Sequence, residues 1–74
     1  MKFQILESRP VEGMDEELSL CRWSWGPTGE VFVVAWREPE SERNPHMNDD
    51  GWREEHFPTL RNAERFFQKR VGAH

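Results

Sequence analysis

Six histidine and carboxylate side chains that could bind a metal ion lie within a stretch of eleven positions. Histidine and carboxylate side chains are common ligands of zinc and manganese. Their spacing matches no familiar metal motif, because there is neither an H-E-x-x-H pattern nor a pair of cysteines. The sequence therefore predicts a solvated acidic loop, with no metal and no cofactor. The residues concerned are His46, Asp49, Asp50, Glu54, Glu55 and His56.

The sequence gives even weaker evidence for a catalytic site than for a metal site. Cys21, the only cysteine, lies in the middle of a predicted strand on its apolar face, where a thiol is normally buried and inert. No base–nucleophile pair is recognisable, and 74 residues leave little chain from which to build a cleft. We therefore expect a protein without catalytic residues and without enzymatic activity.

Alternating apolar side chains predict the sheet on which these residues lie. Three strands are expected at 2–8, 18–25 and 30–38, and residues 52–57 form a candidate fourth strand. The connection GPTG, residues 26–29, has glycine at both ends and predicts a hairpin between the second and third strands.

The register of this hairpin determines which side chains share a face. If Trp25 lies opposite Glu30, Trp23 and Trp25 share a dry aromatic face with Phe32 and Trp36. A slip of one residue would exchange the two faces of the strand, because side chains alternate with a period of two. The predicted face therefore depends on the turn.

One helix is expected at the carboxyl end of the chain. Thr59 is a suitable N-cap and Gly72 follows the last apolar position of the stripe formed by Leu60, Ala63, Phe67 and Val71. The predicted fold is a single α+β domain over 1–74, with a three- or four-stranded antiparallel sheet and this helix packed on one face. The expected core comprises Trp23, Phe32, Trp36, Leu60 and Phe67.

The segment 39–51 is predicted to be a flexible loop, since it contains two prolines and an Asp-Gly pair. The single cysteine excludes an internal disulfide, whereas small secreted domains usually carry several. The amino-terminal apolar run is too short for a signal peptide, and no segment is long enough to span a membrane. We therefore expect a cytoplasmic protein.

The net charge of −4 is unevenly distributed along the chain. Residues 1–60 carry six basic and thirteen acidic residues, giving −7, while 61–74 carry four basic residues and one acidic residue, giving +3. On the helix, Arg61, Arg65 and Lys69 recur every four residues, with Arg70 to one side. This basic stripe could neutralise phosphates and supports an alternative function in nucleic-acid binding.

The acidic segments favour a different partner, a protein with a basic surface. Two tryptophans add candidate apolar anchors, because tryptophan is enriched at interface hot spots. The predicted partner-binding residues are Trp25, Glu38, Glu40, Glu42, Asp49, Asp50, Trp52, Glu54 and Glu55.

Being short, acidic and without a motif, the chain is similar in bulk character to phage-encoded inhibitors of host machines, including anti-CRISPR proteins. This similarity involves no specific residues. It implies a phage or mobile-element inhibitor that sterically blocks a nucleic-acid-binding surface of a partner protein through acidic loops. A third class is a self-associating structural subunit, formed through an uncovered sheet face or an edge strand.

Overall fold

The computed structural model describes residues 2–14, 16–27 and 29–72. Four strands form one antiparallel sheet in sequence order, so that each strand pairs with the next along the chain. One carboxyl-terminal helix packs on the sheet, which confirms the predicted α+β fold. The sheet has four strands, the larger of the two numbers expected. The elements are β1 (Lys2–Arg9), β2 (Leu18–Trp25), β3 (Gly29–Arg37), β4 (Trp52–Phe57) and α1 (Leu60–Val71).

The bounds of α1 agree with its predicted start and stop signals. The Thr59 hydroxyl accepts a hydrogen bond from the backbone N–H of Asn62 at 3.3 Å, as an N-cap residue should. At the other end, the N–H of Gly72 donates to the carbonyl of Gln68 at 2.9 Å. Gly72 has φ −88°, so the helix ends without a left-handed residue there.

The predicted register of the hairpin is wrong by one residue. Trp25 pairs with Gly29 and not with Glu30, and Trp23 lies opposite Val31. The turn is the physical reason, because Gly29 belongs to β3 and the connection is one residue shorter than GPTG. The Trp25 indole lies across Gly29, where a Cβ atom would collide with the ring.

This shift divides the expected core between two faces of the sheet. Phe32, Trp36 and Phe67 are buried between the sheet and α1, as expected. Trp23 is only partly buried and lies on the opposite face, while Leu60, the first residue of α1, remains exposed. Both were wrongly assigned to the core, which comprises Val11, Leu18, Leu20, Phe32, Val34, Trp36, Ala63 and Phe67.

The second face of the sheet carries apolar side chains from all four strands and lies opposite α1. No segment of the described chain packs across it as α1 packs across the core face. The Trp23 ring contacts Phe3 in a tilted arrangement and His56 edge-on, with centroid separations of 6.3 and 5.3 Å. We call this surface the open face; its members include Phe3, Ile5, Cys21, Trp23, Trp25, Val31, Val33, Ala35, Trp52 and His56.

Candidate protein-docking surface

The topology brings the two acidic segments of the chain to one end of the sheet. Because consecutive strands are antiparallel, the β1–β2 and β3–β4 connections leave the same end. Arg43 is the only lysine or arginine in 10–17 and 38–51. We call this region the acidic end; its described carboxylates are Glu12, Glu16, Glu17, Glu38, Glu40, Glu42, Asp49 and Asp50.

Arg37, the last residue of β3, links these two connections. Its Nη1 atom lies 3.8 Å from a carboxylate oxygen of Glu16, and its Nε donates to the backbone carbonyl of Asp50 at 2.8 Å. Its guanidinium also lies 5.7 Å from the ring centroid of Trp52. One cation therefore ties the acidic end to the first residue of β4.

One backbone hydrogen bond and one side-chain hydrogen bond close the long connection between β3 and β4. The N–H of Glu38 donates to the carbonyl of Gly51 at 2.7 Å, and Arg43 Nε donates to the carbonyl of Glu38 at 2.9 Å. A turn of 3-10 helix over Glu40–Glu42 presents the exposed side chains of both glutamates. The flexibility expected for 39–51 stays a prediction about its motion in solution.

Asp49 holds the centre of this connection. Arg53 donates to both of its carboxylate oxygens, from Nη1 at 2.9 Å and Nη2 at 2.6 Å. The backbone N–H groups of Asn44 and Gly51 donate to the same carboxylate. The Arg53 hydrogen bonds, followed by these two backbone bonds, hold the pKa of Asp49 well below its usual range. Much of the charge of Asp49 is therefore compensated within the protein.

Replacing Asp49 by asparagine should lower the melting temperature at pH 7, because an amide cannot accept both Arg53 donors. The lowered pKa means that the stabilisation is complete above about pH 4 and is lost progressively as the pH falls further. The difference in Tm between wild type and Asp49→Asn should therefore narrow in acid. Thermal unfolding followed by circular dichroism from pH 7 down to about pH 2.5 measures it.

Asp50→Asn is the matched control for this prediction. The Asp50 side chain accepts one backbone hydrogen bond, from Trp52 at 3.0 Å, and asparagine can still accept it. Its effect on Tm at pH 7 should be the smaller of the two. A Tm difference for Asp49→Asn that stays constant with pH would contradict the role assigned to the carboxylate.

The other predicted acidic residues differ in their surroundings. Glu38 accepts a hydrogen bond from the indole of Trp36 at 2.7 Å, and Glu54 contacts His56 at 2.8 Å. Glu55 lies opposite Val34, on the same side of the sheet as α1. The structure therefore places Glu40 and Glu42 with Asp49 and Asp50 at the acidic end, and sets Glu54 and Glu55 on opposite faces of β4.

Trp25 and Trp52 both lie on the open face, where they are 53% and 49% exposed. They occupy opposite ends of it, since their β3 partners, Gly29 and Arg37, are eight residues apart. At a rise of about 3.3 Å per residue this separation is about 26 Å. A small contact could therefore include only one of them, and their expected role as partner anchors stays a prediction.

The basic side chains of α1 differ in their exposure to solvent. Arg61, Arg65 and Lys69 are exposed along α1. The Arg70 guanidinium instead lies 4.0 Å from the ring centroid of Trp36 and 5.4 Å from that of Phe66. This side chain covers the edge of the core by cation–π contact, which leaves three cations of the stripe directed to solvent.

The candidate metal ligands and the cysteine thiol can be located in the described part of the chain. No three of its His, Cys, Asp and Glu side chains group closely enough to hold a metal ion. Cys21 is a buried free cysteine, and burial raises the pKa of its thiol, which disfavours the reactive thiolate.

Comparisons with known proteins do not assign this chain to a family. No family model matches the chain, and neither the curated proteins nor the solved structures contain a match. Within the described residues, no helix has both the length and the apolar character needed to cross a membrane.

Proposed function

We propose that this protein is a non-enzymatic binding module that docks through its acidic end onto a basic surface of another protein. The observation that supports the proposal is the meeting of two acidic connections at one end of the sheet. Glu12 and Glu17 from one connection, and Glu40 and Glu42 from the other, are exposed there. A concentration of one sign of charge steers association with a surface of the opposite sign.

The mechanism follows from the kind of surface that would accept such a docking module. Basic protein surfaces commonly hold the phosphates of nucleic acid. An acidic end seated on such a surface would occupy the place of the phosphates and block nucleic-acid binding sterically. The protein would then act as an inhibitor, and its association rate would fall as salt screens the charges.

Reversing the charges of Glu40 and Glu42 tests this proposal. The double variant Glu40→Lys/Glu42→Lys should weaken partner binding by about tenfold or more at low salt, because two attractive contacts become repulsive. It should also reduce the dependence of the association rate on salt. The measurement begins with nuclease-treated pull-downs from the source lysate, followed by surface-based kinetics with the captured protein at several salt concentrations.

The matched control is Glu30→Lys/Glu64→Lys. Both of its sites are exposed and lie outside the acidic end, and both double variants change the formal net charge from −4 to zero. The control should keep binding close to wild type. Equal binding by the wild type and both double variants at every salt concentration would rule out docking through the acidic end.

The exposed stripe of Arg61, Arg65 and Lys69 supports a second candidate function, direct nucleic-acid binding. In the same pull-down, this function predicts that the captured material disappears after nuclease treatment. Replacing each of the three residues by alanine should then weaken nucleic-acid binding and reduce its salt dependence.

A further inference from the structure

The open face leaves large apolar side chains in contact with solvent. Four of them, from three strands, are about half exposed: Phe3 (58%), Ile5 (55%), Trp25 (53%) and Trp52 (49%). Between them, Val33 is fully buried at the centre of the sheet. Apolar residues scattered singly over a surface are ordinary, whereas a contiguous apolar patch of several hundred Å² is typical of an interaction surface.

The size of the open face is sufficient for a specific protein contact. Four strands about 4.8 Å apart, with six to nine residues each and an average length of about 26 Å, give it a footprint of about 500 Å², which includes the polar side chains of Arg37 and Glu54. Two such faces in contact would bury about 1,000 Å² in total, which is the lower bound for specific interfaces. An interface of this size is expected to dissociate in the micromolar range unless its contacts are unusually favourable.

We propose that the open faces of two copies of this chain pack against each other to form a β-sandwich homodimer. The two sheets would lie about 10 Å apart, with their strands inclined by about 30° and both α1 helices on the outside. A 74-residue domain with one helix buries little apolar surface alone, and a second sheet would supply the missing layer.

The edges of the sheet are poorly suited to self-association, which favours contact through the face. The pairing of β1 with β2 shifts register between Ile5 and Glu7, and an irregularity of this kind twists an edge away from a flat partner. At the other edge, β4 carries the adjacent carboxylates Glu54 and Glu55. Two copies of such an edge would place like charges close together.

Charge also selects one orientation of the two copies. A two-fold axis along the strands would place both acidic ends side by side, where they repel. An axis across the strands places them at opposite ends of the dimer, with Trp25 of one copy towards the Trp52 end of the other. This orientation gives both tryptophans a role within the dimer, in place of the anchor role expected from the sequence.

Analytical ultracentrifugation from about 1 to about 500 µM protein tests the dimer. We expect the mass of the wild type to rise with concentration from 8.9 kDa to twice that value. Ile5→Lys should increase the dissociation constant of the dimer by about a hundredfold or more, because the symmetric interface would bury one lysine from each copy. Met47→Lys is the control: it makes the same charge change at a side chain that is 75% exposed outside the open face, and should dimerise like wild type.

Far-UV circular dichroism establishes that each variant is folded, and Phe3→Lys is a second variant if Ile5→Lys does not fold. A wild type that remains at 8.9 kDa throughout would overturn the proposal and leave the open face to a different protein. The proposal would also be overturned if Ile5→Lys and Phe3→Lys both dimerised as tightly as the wild type. Neither result affects docking through the acidic end, which is tested by its own variants.

Discussion

Replacing Phe67 by alanine is expected to remove a large part of the protein's stability. The side chain is fully buried between α1 and the sheet, where a truncation to alanine leaves a cavity. Such substitutions lower the free energy of unfolding by about 3–5 kcal/mol. A domain of 74 residues has about 4–11 kcal/mol in total, so one cavity removes a large part of its stability. Urea unfolding followed by circular dichroism, at low micromolar concentration, measures the loss.

Phe66→Ala is the matched control, because it removes the same side chain one position earlier in α1. Phe66 is only partly buried and packs at the rim of the core, against Trp36 and Phe57 at centroid distances of 5.9 and 5.2 Å. Phe66→Ala should lower the free energy of unfolding by clearly less than Phe67→Ala does. Equal losses for the two variants would mean that α1 is rotated from the position described.

The sequence could predict the elements of this core more readily than the register between them. The strands and the helix have clear apolar periods and a clear N-cap at Thr59. β3, however, is apolar on both faces, with Val31 and Val33 on one and Phe32 and Val34 on the other. Either register therefore pairs apolar side chains across the hairpin, and only the turn geometry around Gly29 distinguishes them.

The candidate docking surface was predictable only in part, for a reason of topology. The acidic residues are evident in the sequence, but their meeting at one end follows from the order of the strands. The compensation of Asp49 by Arg53 could not be foreseen, because it depends on how the 38–51 connection closes on β4. A count of carboxylates in that segment therefore overstates the charge offered to a partner.

The register also changes what the tryptophans imply about function. A single aromatic face covered by α1 would have left little apolar surface for binding. In the structure, Trp36 is in the core while Trp23, Trp25 and Trp52 lie on the open face. The one-residue difference in hairpin register thus places Trp23 and Trp25 on the face opposite Trp36 and leaves an apolar surface beside the acidic end. The two surfaces can serve different partners.

Gly51→Ala is expected to lower the free energy of unfolding by about 2–4 kcal/mol. Gly51 has φ +89°, which costs a residue with a Cβ about 1–2 kcal/mol. The added Cβ would also lie 2.7 Å from the carbonyl oxygen of Glu38 and would collide with Arg43. The hydrogen bond between Glu38 and Gly51 that closes the connection would therefore be strained.

Gly13→Ala separates the two contributions to this loss. Gly13 has nearly the same φ, +87°, but among the described residues, apart from its two neighbours in the chain, no atom lies within 4 Å of the position that its Cβ would take. Its replacement should cost only the backbone term, about 1–2 kcal/mol. Because Gly51 also positions the carboxylates of the long connection, Gly51→Ala should weaken docking at temperatures where the variant is still folded. Equal losses of stability for the two alanine variants would mean that the connection does not close on Gly51 as described.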